Sequence, residues 1–171
     1  AEINNLLGRP LQGGSSITQQ LVKNVAIDAD QRVARSYERK LKEIVLAWEL
    51  TRRYPGPGGK DQILEWYLNT VYYGNLAYGV QAAAETYFGK PVSELTLAEA
   101  AMLATLSRSP ASNPIDNLAE ARRQQAIALD EMADDGYIPR AEAEAAKTAP
   151  LGTPRQRTET TTLVAPHFAV W

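Results

Sequence analysis

Thr96 and Glu99 stand three residues apart at the head of a run, Leu97 to Leu106, that is apolar on almost every side. The spacing is that of a capping box: the threonine hydroxyl accepts a backbone N–H and the glutamate reaches back to the threonine's own N–H. A helix that is apolar all round has no face for water and must be enclosed by other helices. The chain is therefore expected to wrap residues 97–106 in amphipathic helices, with that helix the most buried.

The remaining apolar residues recur with a helical period. One helix is expected over 16–27 and a second over 36–54, with Leu41, Ile44, Val45 and Trp48 as its apolar stripe. Pro55-Gly56-Pro57-Gly58-Gly59 should end the second helix. A third should start at Asp61 as N-cap, with Leu64, Leu68 and Val71 on one side and Ile63 and Tyr67 beside them. Residues 117–135 read as a more charged helix with Leu118, Ala121, Leu129 and Met132 facing in and Gly136 at C′. Pro139 opens a last short helix. No strand-length alternation and no internal repeat interrupts the pattern, so the fold class is mostly α. Beyond Pro150 the period stops, and Gly152–Thr162 is polar. Residues 1–150 are expected to form one domain and 151–171 a linker.

With 171 residues, 44% of them hydrophobic and 22% charged, the chain matches an ordinary globular domain with one core. No apolar run approaches the roughly 18–20 residues of a membrane span, and no signal peptide is visible. There is no cysteine, which excludes disulfides, thiol catalysis and cysteine-ligated metals. The single histidine, His167, cannot build a histidine metal cluster and reads as structural. The sequence requires no cofactor, a divalent cation such as magnesium being the one candidate. Residues 1–60 hold ten Lys and Arg against six Asp and Glu, whereas residues 61–171 hold eight against fourteen. The basic half suits an anionic ligand. The chain as a whole is not basic and carries no nucleic-acid motif, so nucleic acid is not the expected partner.

The basic half contains Gly13-Gly14-Ser15-Ser16-Ile17-Thr18-Gln19-Gln20-Leu21-Val22-Lys23-Asn24. Two glycines allow close approach of a ligand to the backbone. Ser16 as N-cap, with Gln19 three residues on, reads as a second capping box. A polar, glycine-led helix start favours an anion, and Lys23 adds a point charge about two turns in. Ser15, Thr18, Gln19 and Gln20 cluster at that open end as binding candidates. An ordinary capped surface helix fits the same spacing. Arg39 and Glu43 are four apart and share a helix face. As a solvated pair they would contribute only about 0.3–0.5 kcal/mol. Tyr67, Leu68 and Asn69 read as structural.

Taken in order, the glycine-led segment, Arg39-Lys40-x-x-Glu43 and Lys60-x-x-Ile63-Leu64-x-x-Tyr67-Leu68-Asn69 closely resemble the second, third and fourth motifs of the family 51 glycosyltransferases. These are the peptidoglycan glycosyltransferase domains of bifunctional penicillin-binding proteins and their monofunctional relatives. The resemblance implies a lysozyme-like helical fold. It implies polymerisation of lipid II, with inversion at C1 of the donor sugar and a lipid pyrophosphate as leaving group. It implies that Lys23, Arg39 and Lys40 neutralise the pyrophosphate and that Glu43 is the second glutamate of the catalytic cleft. Arg39 beside it favours an orienting or charge-balancing role over proton donation. The partners implied are lipid II and the growing glycan strand, a moenomycin-type inhibitor, a membrane reached through a parent protein, and a C-terminal transpeptidase domain. Ala165-Pro166-His167-Phe168 resembles the way toward that domain. The implied location is the outer face of the bacterial cytoplasmic membrane.

Two departures stand out. The family's first motif carries the general-base glutamate, and nothing in residues 1–12 matches it; Glu2 is the one acidic residue there. The sequence is therefore expected to begin after that motif, and to lack the base. In the fifth motif Gln124 occupies the place of an arginine, with Arg122 and Arg123 just before it. A one-residue offset turns a helical side chain by about 100°, and Arg123 is the candidate substitute. The competing functions are a lipid II-binding module without turnover and a lysozyme-like glycan hydrolase. The hydrolase needs a carboxylic acid in an apolar setting beside the scissile bond, and no glutamate is so placed by the sequence.

Overall fold

The computed structural model describes residues 15–27 and 37–153. Within them run seven α-helices: α1 (Ile17–Ala26), α2 (Tyr37–Arg53), α3 (Gly56–Thr70), α4 (Val80–Phe88), α5 (Leu97–Leu106), α6 (Leu118–Asp134) and α7 (Arg140–Thr148). Short 3-10 turns at Val92–Glu94 and Pro110–Ser112 join α4 to α5 and α5 to α6. Among the described residues the β pairing is one isolated antiparallel bridge, Tyr72 to Tyr78. Glu2, Gly13, Gly14, His167 and the expected linker beyond Thr153 lie outside the described residues.

The enclosed helix is α5. Thr96 Oγ1 accepts from the Glu99 N–H and Glu99 Oε2 accepts from the Thr96 N–H at 2.8 Å, so both halves of the capping box are made. Ala98, Glu99, Ala101, Met102, Leu103 and Leu106 are buried. Met102, Leu103 and Leu106 join a cluster with Leu21, Ile63, Tyr67, Tyr73 and Tyr87, whereas Ala98 and Ala101 join Leu129, Ala143 and Ala146. The helix thus ties a unit of α1, α2 and α3 to a unit of α6 and α7.

Glu99 is 1% exposed and is held on several sides. Besides the Thr96 N–H it accepts from Thr96 Oγ1 at 2.9 Å and the Gly152 N–H at 2.8 Å, and it pairs with Lys90 at 2.8 Å. Leu151, next to Gly152, packs on both apolar clusters. The segment after α7 is thereby fastened to α5. Gly136, at φ 79°, takes the left-handed C′ position after α6. In the loop after α3, Gly74 has φ 92°, and a Cβ there would meet Tyr87 Oη at 2.8 Å and the Pro110 carbonyl at 2.9 Å. That close approach lets Tyr87 Oη donate to the Tyr73 carbonyl at 2.8 Å.

Three expectations fail. First, α3 starts at Gly56, with Pro55 as N-cap and Pro57 in its first turn; Asp61 is inside the helix. The first-turn N–H groups of a helix have no intrahelical partner, so a proline there removes nothing. Second, Ile63, Tyr67 and Val71 at α3 and Ala121 and Leu129 on α6 face inward as expected, joined by Gln125, but Leu64 and Leu118 face solvent. Third, the stripe on α2 points outward: Leu41, Ile44, Val45 and Trp48 are exposed, Trp48 by 63%. The buried positions are Glu43 and Ala47, with Leu50 packed partly behind them. The two faces differ by one residue step, about 100° around the helix. Periodicity identified an apolar face, but α1 packs against the neighbouring one.

Candidate functional site

The site forms where the N-terminal ends of α1 and α2 meet. Ser16 caps α1 with an extended backbone, and its Oγ accepts the Gln19 N–H at 3.3 Å. The expected return bond from Gln19 is not made. Instead Gln19 Oε1 accepts from Lys40 Nζ at 3.2 Å. An ammonium is a stronger donor than a neutral backbone N–H, so the amide oxygen turns toward the cation. Lys40 Nζ also donates to Ser15 Oγ at 2.8 Å and to Glu43 Oε2 at 3.2 Å. The other oxygen of Glu43 pairs with Arg39 Nε at 3.2 Å.

Glu43 is 3% exposed. A buried carboxylate must be paired, because a lone buried charge costs several kcal/mol. Here it lies between two cations of its own helix, at i−4 and i−3. Arg39 and Lys40 thus bracket the Glu43 carboxylate at the open end of α1, where the first-turn N–H groups also point. A partly exposed Lys40 with three oxygen partners can exchange one of them for an anionic oxygen without being left unpaired.

Of the residues singled out from the sequence, Ser15, Gln19, Gln20, Lys40 and Glu43 are joined in one hydrogen-bonded cluster, to which Arg39 is attached by its ion pair with Glu43. Thr18 and Lys23 are not. Both are half-buried on α1 and make no side-chain hydrogen bond or ion pair with a described residue. Lys23 follows Gln19 by one turn and shares its face. Among the described residues no group of three or more Asp, Glu, His or Cys could hold a metal ion.

Tyr67 enters the cluster although its apolar spacing read as structural. Its ring is buried in the main core and its hydroxyl donates to Gln20 Oε1 at 3.3 Å. Gln20 Nε2 in turn donates to the Ser15 carbonyl at 3.4 Å. The available signal was chemical rather than periodic: a tyrosine on an inward face needs a partner for its hydroxyl. Behind it, burial pushes the Tyr73 hydroxyl well above the usual phenol range. The fourth motif thus braces the second through one hydroxyl.

Arg122 and Arg123, just before Gln124, are bonded within the C-terminal helices. Arg123 makes a two-pronged pair with Glu120, at 2.8 and 2.6 Å, and Gln124 donates to the same carboxylate. These bonds hold the Glu120 carboxyl down at about 2. Arg122 donates to the carbonyls of Lys147 and Ala149, at 3.3 and 2.9 Å, and so closes the C-terminal end of α7.

The chain is similar to known proteins in sequence and fold. A family model described as Transglycosylase matches residues 1–133. Penicillin-binding protein 1A of Aquifex aeolicus is 44% identical over 152 residues, which cover 88% of this chain and 20% of that protein. Penicillin-binding protein 1A of Rickettsia conorii is 40% identical over 167 residues, covering 97% of this chain and 20% of the other. The chain thus spans about a fifth of the length of these relatives. The crystal structure of penicillin-binding protein 1A from Haemophilus influenzae is similar over 65% of this chain and 17% of that one, with a TM-score of 0.55 and 37% identity.

Proposed function

The chain belongs to the transglycosylase family, and on that premise we propose that it is a peptidoglycan glycosyltransferase domain whose motif cluster holds the pyrophosphate of lipid II during glycan-chain growth. In this reaction the 4-hydroxyl of an acceptor sugar attacks C1 of the donor sugar. A C1–O bond forms, the C1–O bond to pyrophosphate breaks with inversion, and the electron pair leaves with the lipid pyrophosphate. The acceptor proton goes to the family's first-motif glutamate, which residues 1–12 do not match. The roles assigned to this chain's own residues are therefore those of binding and charge neutralisation.

The observation that carries the reading is the set of bonds around Lys40. It joins Ser15 and Gln19 of the second motif to Glu43 of the third. Preplaced cations stabilise charge that grows as the leaving group departs, and need no reorganisation at that moment. Arg39 supplies a planar fork, Lys40 a movable point charge, and Lys23 a second point charge further along α1. Glu43 keeps Arg39 and Lys40 at a fixed spacing when no substrate is bound. A glycan hydrolase would require a proton donor in this place, and a carboxylate flanked by two cations is poorly suited to that work.

The outward stripe of α2 supports a membrane setting. Leu41, Ile44, Val45, Trp48 and, a turn earlier, Tyr37 form an exposed apolar face, with Arg52 over the Trp48 ring at 5.3 Å. Aromatic and apolar residues beside cations suit the interface of an anionic bilayer. No helix among the described residues is long and apolar enough to cross a membrane. The stripe is proposed to rest on the outer surface of the cytoplasmic membrane, where lipid II is delivered, with a transpeptidase domain in the longer protein. A moenomycin-type inhibitor would occupy the same cations through its phosphate.

The test is conversion of fluorescent lipid II into glycan strands by the longer polypeptide that includes the upstream segment, with and without Glu43→Gln. Strand formation that depends on Glu43 is expected. Release of sugar from finished glycan, with no strand formed, would favour the hydrolase and overturn the proposal.

A further inference from the structure

The polypeptide that follows α7 is held to the domain by more than apolar contact. Side chains of α5 and α6 spend their hydrogen bonds on its main chain. Gln125 is fully buried; it donates to the Ala98 carbonyl at 2.5 Å and accepts from Arg122 at 3.1 Å. Arg122, steadied in this way, donates to the carbonyls of Lys147 and Ala149. Two residues further on, Leu151 packs on both apolar clusters, and the Gly152 N–H donates to buried Glu99. A buried polar side chain is costly unless its bonds are made. Among the described residues four polar or charged side chains are buried, and two of them, Glu99 and Gln125, serve this one segment.

The notch that receives the segment is built by Tyr87-Phe88-Gly89-Lys90 at the end of α4, residues that the polar cluster does not use. Gly89 is left-handed at φ 68°, and a Cβ there would come within 3.0 Å of the Thr153 carbonyl. A Cβ on Gly152 would meet the Phe88 carbonyl at 2.6 Å and Glu99 Oε1 at 3.1 Å. Two glycines thus let two stretches of backbone pass with no side chain between them. Lys90 closes the notch through its ion pair with Glu99 Oε2. The two oxygens of Glu99 divide the work. Oε2 faces Lys90 and the Thr96 N–H and completes the cap of α5, whereas Oε1 faces Gly152. The cap therefore stays whole if the segment leaves. Oε1 alone loses its donor, and the departing backbone uncovers it to water.

We infer that residues 149–153 are a separable strap: closed, it fixes the direction in which the polypeptide leaves the domain, and it opens as a unit without unfolding α5. Arg122 holds one end at Ala149 and Glu99 the other at Gly152, so both position and direction are set. Capping alone does not account for the second bond. The last carbonyls of α7 need partners, and Arg122 supplies them; Gly152 lies three residues past that need. While the strap is closed, motion of the residues after Thr153 reaches α4 and α5 through it. Once open, those residues are uncoupled from the helices. No part of this depends on the pyrophosphate reading.

The test uses the 171-residue chain, whose lack of cysteine allows spin labels at chosen positions. Labels on Glu131→Cys and Thr153→Cys, both at exposed positions, report the distance from α6 to the strap by double electron–electron resonance. One narrow distribution is expected. Gly152→Ala puts a methyl against the Phe88 carbonyl while leaving Lys90 and Glu99 in place, and it should broaden the distribution about twofold or more. Amide exchange gives the second readout. In the unaltered chain the Gly152 N–H should exchange about 10²-fold or more below the unstructured rate. In Gly152→Ala the amide at 152 should come within about tenfold of that rate, while those of Leu103 and Leu106 keep their protection within about threefold. Arg122→Met frees the strap from its other end and should give the same pattern. A broad distribution or an unprotected Gly152 in the unaltered chain would overturn the strap, as would a Gly152→Ala chain that changes neither readout. Loss of protection in α5 in step with residue 152 would make the segment an inseparable part of the core and overturn its release.

Discussion

Replacing Glu99 by Gln changes one oxygen of a buried carboxylate to a donor amide, and the structure sets what that costs. Glu99 accepts from the Thr96 N–H, Thr96 Oγ1 and the Gly152 N–H, and pairs with Lys90. One amide oxygen can serve only part of this set, and the new NH2 group must face an N–H donor. Removing one member of a buried ion pair costs about 3–5 kcal/mol, but Lys90 is a quarter exposed and regains water. Adding the loss of half a capping box, about 1 kcal/mol, gives a net cost of about 3 kcal/mol. For a chain of this size each kcal/mol moves Tm by about 2–4 °C, so Glu99→Gln should melt about 6–12 °C lower at pH 7. Burial alone would raise the Glu99 pKa, but Lys90 and the N–H groups of Thr96 and Gly152 outweigh it and leave it below 4.5. A folded-state pKa below the unfolded one means that the stabilisation is complete above pH 4.5 and fades as pH falls through the lower value. The assay is a calorimetric scan of both proteins at pH 7 and pH 3. Equal Tm values at pH 7, or a gap that persists undiminished at pH 3, would refute the account of Glu99 as a charged clasp.

Other outcomes follow from the same bonds. Tyr67→Phe deletes one hydroxyl and should lower stability by about 1 kcal/mol. It should also lower kcat more than it raises KM, since it loosens Gln20 and Ser15 rather than removing a binding charge; steady-state kinetics on lipid II would show the split. Glu43→Gln should reduce strand formation by about 10²-fold by letting Arg39 and Lys40 drift, the scale expected for a misplacement near 1 Å. Unchanged rates would remove Glu43 from the site.

The sequence carried the helical layout because helix signals are local. The Thr96–Glu99 box, the enclosed run after it and the left-handed Gly136 are written within a few residues each. What it did not carry is which face of a helix meets a neighbour. Leu41, Ile44, Val45 and Trp48 have the spacing of a core stripe, yet α1 packs against the side that bears Glu43 and Ala47. The same limit applies to side-chain partners. Gln19 fits a capping box, and only the approach of α2 brings the Lys40 ammonium that takes its oxygen. Tyr67 fits a core position, and only the packing of α3 on α1 shows that its hydroxyl reaches Gln20. The motif residues were legible as a set, but the bonds that join them cross between helices.

The central claim is that Lys23, Arg39 and Lys40 stabilise a departing pyrophosphate. Polymerisation kinetics of Lys23→Ala and Arg39→Lys, in the longer polypeptide that includes the upstream segment, test it most directly. If the cations act on developing charge, Lys23→Ala should lower kcat by about 10²-fold, more than it weakens ground-state binding. Arg39→Lys should also lower kcat, because a point charge cannot replace a two-pronged fork. Wild-type turnover in both variants would contradict the account and reduce these cations to surface charge.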